Sequence, residues 1–503
     1  MNRFEAEMSG WFNHAKTRNN ANAYKSTKNE MVDFFSNAGA MRNSSPDEIK
    51  ELFDEALRMD TKMAIVLMFY FRDVRGGQGE RRVFRECFKQ LIEYLPALAK
   101  AVLELIPEYG RWDDIFVARD TDLHDQMLYI INKQFVKDVF ALDKKESISL
   151  LAKWLPTERR HGKRDRFALE IADYIGISPR KYRKLCTAMR KQIGVVESLM
   201  SANKWQQIEF DKIPSQAMKK YYATFFRKME NEFNEYLAKV NRGEKQIKTA
   251  TLYPYQVIEP LMDWYRSVNN NELKAIETMW SQLPEYFEGK NNTLIMADTS
   301  ASMYGQPMAM AASLAIYCSE RNTGYYKNKF MSFSAKPQFV ELKDSMTIQQ
   351  KARKIMSTDW GMNTNLEKAF ENILQIALNS QAKQEELPQR IIVISDMQFD
   401  QATGKRNEWG HEVSEDYVTL KSGLEQRYLE HGYAMPKLVF WNVNATKATC
   451  PMKEDERGLM VSGASPEIMK SVLKDEFIAP MDIVLDVISR KRYEPVLEKL
   501  QSF

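Results

Sequence analysis

The stretch Leu294-Ile295-Met296-Ala297-Asp298-Thr299-Ser300-Ala301-Ser302 decides how the second half of this chain is read. Four consecutive apolar residues predict a buried strand, and the Asp-x-Ser-x-Ser that follows predicts the loop at its carboxyl end. That loop carries one carboxylate and two hydroxyls. All three are hard oxygen donors, which suit Mg²⁺ or Mn²⁺ better than zinc. Two further pieces occupy similar places. Thr364 lies in Trp360-Gly361-Met362-Asn363-Thr364-Asn365, ahead of an amphipathic helical pattern, and Asp396 ends a second apolar run, Arg390-Ile391-Ile392-Val393-Ile394-Ser395-Asp396.

Working outward from that stretch, apolar runs alternate with helical patterns from about residue 290: 293–297, 308–321, 328–334, 347–356, 365–379, 390–395, 415–431, 437–443, 458–461 and 466–474. This order predicts an α/β domain with a mainly parallel sheet covered on both faces. Ligands in such sheets bind beyond the carboxyl ends of the strands, where Asp298 and Asp396 are expected. Residues 46–288 read instead as all-α. Ser45-Pro46-Asp47-Glu48 is a helix start, with Pro in the first turn and acids against the dipole. Helices are expected at 51–71, 80–94, 97–105, 122–140, 145–154, 165–175, 179–190, 215–240 and 255–267. With short connections and no fixed-period repeat, they suggest an array of helix pairs in the manner of HEAT-like repeats. The expected organisation is therefore an arm (1–45), a HEAT-like helical domain (46–288), the α/β domain (289–475) and C-terminal helices (476–503) packing back on the helical domain.

Composition bounds the function. The chain has 503 residues, 44% hydrophobic and 28% charged, as in ordinary globular proteins. Cys87, Cys186, Cys318 and Cys450 are scattered with neither zinc nor disulfide spacing, so reduced thiols in a cytoplasmic setting are expected. The start, Met1-Asn2-Arg3-Phe4-Glu5, carries no signal-peptide pattern. The longest apolar run ends at Arg72, far short of the roughly 20 residues that span a bilayer, so no membrane partner is expected.

Net charge is +4, but residues 151–250 hold 22 Lys and Arg against 11 Asp and Glu. A basic middle inside a near-neutral chain points to a polyanion-binding surface; its bland reading is a set of solvated helix faces. The densest cluster contains Arg159, Arg160, Lys163, Arg164 and Arg166. A second contains Arg180, Arg183, Lys184, Arg190 and Lys191, several of them at helical spacing. A third contains Lys219, Lys220 and Tyr221. Cations interleaved with tyrosines suit RNA with exposed bases, held by phosphate contacts and stacking. No zinc finger or recognition helix is present, which argues against sequence-specific duplex readout.

Long blocks across residues 20–465 resemble the family catalogued as domain-of-unknown-function 2828. They include Ala23-Tyr24-Lys25-Ser26-Thr27, Val32-Asp33-Phe34-Phe35, Phe71-Arg72-Asp73-Val74-Arg75-Gly76-Gly77-Gln78-Gly79-Glu80-Arg81 and Pro107-Glu108-Tyr109-Gly110-Arg111-Trp112-Asp113-Asp114. Ser395-Asp396-Met397-Gln398-Phe399-Asp400 and Phe440-Trp441-Asn442 extend the likeness. The Asp-x-Ser-x-Ser, Thr, Asp series resembles the metal-ion-dependent adhesion site of von Willebrand factor A (vWA) domains. That resemblance implies Mg²⁺ or Mn²⁺ held by Asp298, Ser300, Ser302, Thr364 and Asp396, with a position left open for an acidic protein partner. Ala301 stands where that family usually has Gly, which is accommodated if φ stays negative there. The architecture also resembles the TROVE–vWA proteins of the Ro autoantigen group, which bind single-stranded RNA ends and structured small RNAs. It implies a monomeric, non-catalytic RNA-binding protein; the competing expectation is a metal-dependent protein scaffold that never touches nucleic acid.

Two corner motifs carry their own alternatives. Arg72 to Arg82 has three glycines and several arginines that suit phosphate, or it is a tight turn fixed by Arg–Asp and Arg–Glu pairs; the latter is favoured. No Gly-Lys-Ser/Thr follows, so it is not a P-loop. Trp112 reads as a packing anchor. Histidines are few, and no Ser-His-Asp or Cys-His arrangement emerges.

Overall fold

The structure is a computed structural model. It describes residues 12–17, 22–160, 163–263, 265–285, 292–333, 337–358, 366–399, 420–445, 449–454, 457–465, 467–472, 479–501 and 503. In chain order its strands are β1 (His14–Lys16), β2 (Asn22–Tyr24), β3 (Arg159–Arg160), β4 (Lys163–Arg164), β5 (Thr293–Asp298), β6 (Lys329–Phe333), β7 (Gln338–Glu341), β8 (Arg390–Ser395), β9 (Lys437–Asn442) and β10 (Leu459–Ser462). The helices of nine or more described residues begin with α1 (Glu30–Ala38), α2 (Pro46–Met59), α3 (Thr61–Arg72), α4 (Arg81–Tyr94), α5 (His124–Asp143), α6 (Arg166–Tyr174), α7 (Pro179–Ile193), α8 (Ser215–Lys228) and α9 (Glu230–Asn241). They continue with α10 (Asn270–Ser281), α11 (Gln306–Arg321), α12 (Ile348–Met356), α13 (Leu366–Ser380), α14 (Leu420–Glu430) and α15 (Pro480–Ile488). None is long and apolar enough to cross a membrane. All four cysteines are free and buried.

The chain divides into two compact units, and the division is not linear. One unit joins Met1–Leu67 to Leu252–Arg490; the other joins Met68–Thr251 to Lys491–Phe503. This differs from the expected succession of arm, helical domain, α/β domain and C-terminal helices. The N-terminal residues and α15 belong with the sheet, and only the last residues from Lys491 belong with the helices.

The sheet unit is built on six strands in the order β10-β9-β8-β5-β6-β7, all parallel except β7, which runs antiparallel to β6 at one edge. Every residue of β5 and β8 is buried, as in central strands covered on both faces. This is why both read as unbroken apolar runs. From Met308 to Ser319, α11 is buried throughout and packs against β5.

The N-terminal residues pack onto this sheet for local reasons. Asn29 caps α1 by accepting from the backbone N–H groups of Met31 and Val32. Gly39, just past the helix, donates its N–H to Ser462 Oγ at 3.0 Å. A Cβ at Gly39 would meet Ser462 O at 2.6 Å, so this approach to β10 requires glycine. The backbones of Tyr24 and Cys450 exchange hydrogen bonds of 2.9 and 2.8 Å. In α2 a Ser45–Glu48 capping box and Pro46 fix the start, and Ile49, Leu52, Phe53, Ala56 and Leu57 form the buried stripe.

The helical unit is organised around two interlocked corners, 72–82 and 107–114. The Arg72 side chain, 2% exposed, bonds the fully buried Asp114 at 2.6 Å. Gly77 lies against the Tyr70 carbonyl, where a Cβ would come within 2.0 Å; a Cβ at Gly110 would meet Asp114 Oδ2 at 2.7 Å. From the chain's end Arg492 pairs with Asp73, and Tyr493 donates to Asp73 Oδ2 at 3.1 Å. The turn reading of the Arg/Gly motif thus describes its geometry. Four expected helices differ. The expected 51–71 helix is two, α2 and α3, parted at Asp60, and of 255–267 only Pro254–Ile258 is α-helical, followed by a 3-10 turn at Glu259–Leu261. Only Leu151–Trp154 of 145–154 is helical, because Asp138 accepts from the N–H and hydroxyl of Ser149 and holds a turn there. The expected 215–240 helix is two, α8 and α9, broken at Met229.

Candidate metal centre and basic surface

Counted along the chain, the sheet strands β5 to β10 lie in spatial order 6-5-4-1-2-3, the doubly wound arrangement. The connections leave β5 on one side toward β6 and on the other toward β8. The crevice between β5 and β8, at their carboxyl ends, is the switch point where such sheets bind ligands. Asp298 is the last residue of β5, and Asp396 follows the last residue of β8.

Asp298 is fully buried and Asp396 is 1% exposed. Asp298 Oδ1 accepts the Ser300 N–H at 2.8 Å, and Oδ2 accepts the Ser395 hydroxyl at 2.6 Å. Asp396 Oδ1 accepts from the Gln398 N–H at 3.2 Å. The Ser300 and Ser302 hydroxyls lie 3.1 Å apart. Ser300 is buried whereas Ser302 is exposed, so the cluster opens toward solvent on the Ser302 side. Burial first, and the charge of Asp396 second, push Asp298 up to about 7; its bonds to Ser300 and Ser395 offset only part of this. Ala301 opens a single 3-10 turn, Ala301–Met303, a conformation of negative φ. The condition for replacing glycine there is therefore met.

The donor set fits a hard divalent cation. Two carboxylates that disfavour each other's ionisation, with two hydroxyls beside them, match the usual Mg²⁺ pattern of one or two carboxylates completed by water or ligand. Among the described residues no group of three or more His, Cys, Asp or Glu is gathered that could hold a metal, so an ion here would depend on the hydroxyls as well as the two carboxylates. Thr364 and Asp400 lie outside the described residues. Sequence reasoning missed the role of Ser395; its place directly before Asp396, one strand over from Asp298, was the available signal.

The basic residues gather in the helical unit but do not form one uniform face. Arg159, Arg160, Lys163 and Arg164 make the β3–β4 hairpin, whose register sets Arg159 opposite Arg164 and Arg160 opposite Lys163. Arg166 is exposed in the first turn of α6. In α7, Tyr182, Cys186 and Met189 are buried, and Arg180, Lys184 and Lys191 are exposed on the remaining surface. Arg183 is partly occupied by Glu158 at 3.0 Å. Arg190 is taken up by the fold: its guanidinium donates to the carbonyls of Ala152 and Leu155 at 2.7 and 2.8 Å. Lys219 is half-buried, whereas Lys220 is exposed, with its ammonium 4.8 Å from the centre of the Tyr221 ring. Tyr221 donates its hydroxyl to Glu197 at 3.1 Å, which fixes the ring.

Fold and site together define a helical unit with a basic surface and a doubly wound α/β unit with a candidate cation centre at its switch point. Residues 17–108 and 165–291 match a family described as a domain of unknown function (DUF2828), and residues 292–497 match another so described (DUF7788). The cation cluster falls inside the second match, and α6 to α9 fall inside the first. The β3–β4 hairpin falls between the matched segments. An uncharacterised protein of Acanthamoeba polyphaga mimivirus is 28% identical over 526 residues, covering 95% of this chain and 88% of the relative.

Proposed function

We propose that this chain is a non-catalytic RNA-binding protein whose sheet unit is a vWA domain holding one divalent cation, Mg²⁺ or Mn²⁺. The observation that carries the reading is the pair of buried carboxylates, Asp298 and Asp396, set beside the Ser300 and Ser302 hydroxyls at the switch point. Asp298, Ser300, Ser302, Thr364 and Asp396 would hold the ion, which supplies a Lewis-acidic position for an acidic group of a protein partner. Two carboxylates softened by hydroxyls favour capture over hydrolysis, since two-metal hydrolytic sites need more clustered acids. The helical unit, read as a HEAT-like array, would hold single-stranded or structured RNA through the β3–β4 hairpin and the exposed cations of α7 and α8.

The test is crosslinking of RNA to the full-length protein, native and with Arg180→Glu, Lys184→Glu and Lys191→Glu combined. These side chains are exposed, so the fold is expected to survive. Retention of RNA should fall sharply, and unchanged retention would remove the RNA half of the proposal. A protein scaffold without nucleic acid is the second reading. It is favoured by the occupation of Arg183, Arg190 and Tyr221 with Glu158, backbone carbonyls and Glu197. It predicts an RNA-free protein and a partner released by chelation of the cation.

A further inference from the structure

The helical unit contains a cavity that neither reading uses. Its volume is about 530 Å³, and it is lined by Arg81, Arg82, Arg85 and Lys89 with Glu86 and Asp113. The cations share a face because positions 81, 85 and 89 recur every four residues on α4. Its other face buries Phe84, Cys87, Phe88 and Leu91.

Four guanidiniums here share two carboxylates. Asp114 takes Arg72 at 2.6 Å and Arg85 at 2.8 Å, with Arg81 at 3.3 Å. Asp113 takes Arg111 at 2.9 Å and Arg85 at 3.3 Å, and also Arg81. The cluster therefore holds four positive and two negative charges. Glu86 lies 3.0 Å from Lys89 and offsets that cation rather than the guanidiniums. The excess faces the open side, where the Arg81 and Arg85 side chains are 42% and 29% exposed. Burial, and then the nearby Arg111 and Arg85, lower the Arg81 pKa, so the guanidiniums are crowded by their own kind. Asp114 is fully buried and the glycine-tight corners fix the wall, so the cations cannot simply splay apart.

We propose that this cavity binds a phosphomonoester through Arg81, Arg82 and Arg85. A phosphomonoester carries close to two negative charges at neutral pH, opposite in sign to the cationic excess, and guanidinium forks fit its oxygens. Phe116 and Val117 complete the lining and offer an apolar surface to the carbon skeleton that bears the phosphate. A free nucleotide and the 5′ end of an RNA share this chemistry. The site does not rest on the RNA reading, because inorganic phosphate alone should occupy it.

Calorimetric titration of the full-length protein tests this, with inorganic phosphate, adenosine monophosphate, adenosine, and short oligoadenylates bearing a 5′-phosphate or a 5′-hydroxyl. Adenosine monophosphate should bind at least tenfold more tightly than adenosine (about 1.4 kcal/mol), and inorganic phosphate should compete. Combining Arg82→Gln and Lys89→Gln should weaken binding at least tenfold, and the melting temperature measured on the same variant separates a loss of binding from a loss of fold. A tenfold preference for the 5′-phosphorylated oligomer identifies an RNA end; binding of the mononucleotide without that preference identifies a free nucleotide. Equal binding of both oligomers, with neither phosphate nor mononucleotide competing, overturns the pocket and leaves the RNA reading standing. Binding of phosphate without any oligomer supports the pocket and removes the RNA reading.

Discussion

Asp298 sits under opposing influences. It is fully buried beside Asp396, which pushes its carboxyl up to about 7, while Ser300 and Ser395 pull only partly the other way. A carboxyl raised in the folded state contributes stability that is complete below its unfolded value near 3.8 and is lost as pH rises through about 7. The metal-free protein should therefore melt lower at about pH 8 than at about pH 5 on account of this group. A bound cation reverses the preference, because it favours the ionised pair. At a concentration a hundredfold above its dissociation constant at about pH 8, Mg²⁺ should add about 2.7 kcal/mol, and thermal melts at that same concentration should show a smaller gain at about pH 5. An equal gain at both pH values would count against the centre. Asp298→Asn should raise the metal-free melting temperature at the higher pH while abolishing the response to Mg²⁺.

At the scale of elements, the ion-paired corner of the helical unit makes a sharp claim about stability. Arg72→Met leaves Asp114 fully buried with one fewer partner, and loss of one side of a buried pair costs about 3–5 kcal/mol. Urea unfolding should report that loss, whereas Arg75→Met, exposed beside Glu108, should cost under about 1 kcal/mol. Gly39→Ala should cost about 1–3 kcal/mol by forcing a Cβ against Ser462 O. Much of this was legible beforehand. Strands β5 and β8 were read from Leu294–Ala297 and Ile391–Ile394 because central strands are apolar on both faces. The turn reading of 72–82 followed from alternating Arg, Asp and Gly. Other elements carried no such signal. The edge strand β7 buries only Val340 among its four residues, so no alternation shows. The break at Met229 has neither glycine nor proline. The absorption of Arg190 depends on carbonyls of Ala152 and Leu155, more than thirty residues away.

At the scale of the whole molecule, sequence reading placed boundaries in chain order, whereas the compact units are interleaved. Local patterns report which face of an element is apolar, not which distant element covers it. The pairing of Tyr24 with Cys450 and of Gly39 with Ser462 is long-range and leaves no periodic trace. The same scale governs the RNA proposal. Each neutralised phosphate releases counterions, so affinity should fall steeply with salt, and the combined α7 charge reversal should flatten the slope of log affinity against log salt. A slope near zero in the native protein would speak for the scaffold. Underlying the sheet unit's part in either reading is the cation centre, and titration of the metal-free, full-length protein with Mn²⁺, followed by electron paramagnetic resonance, tests it most directly. The expected result is one saturable site per chain, weakening as pH falls below about 7 and lost in Asp298→Asn. Absence of saturable binding, or binding that survives Asp298→Asn unchanged, would contradict it.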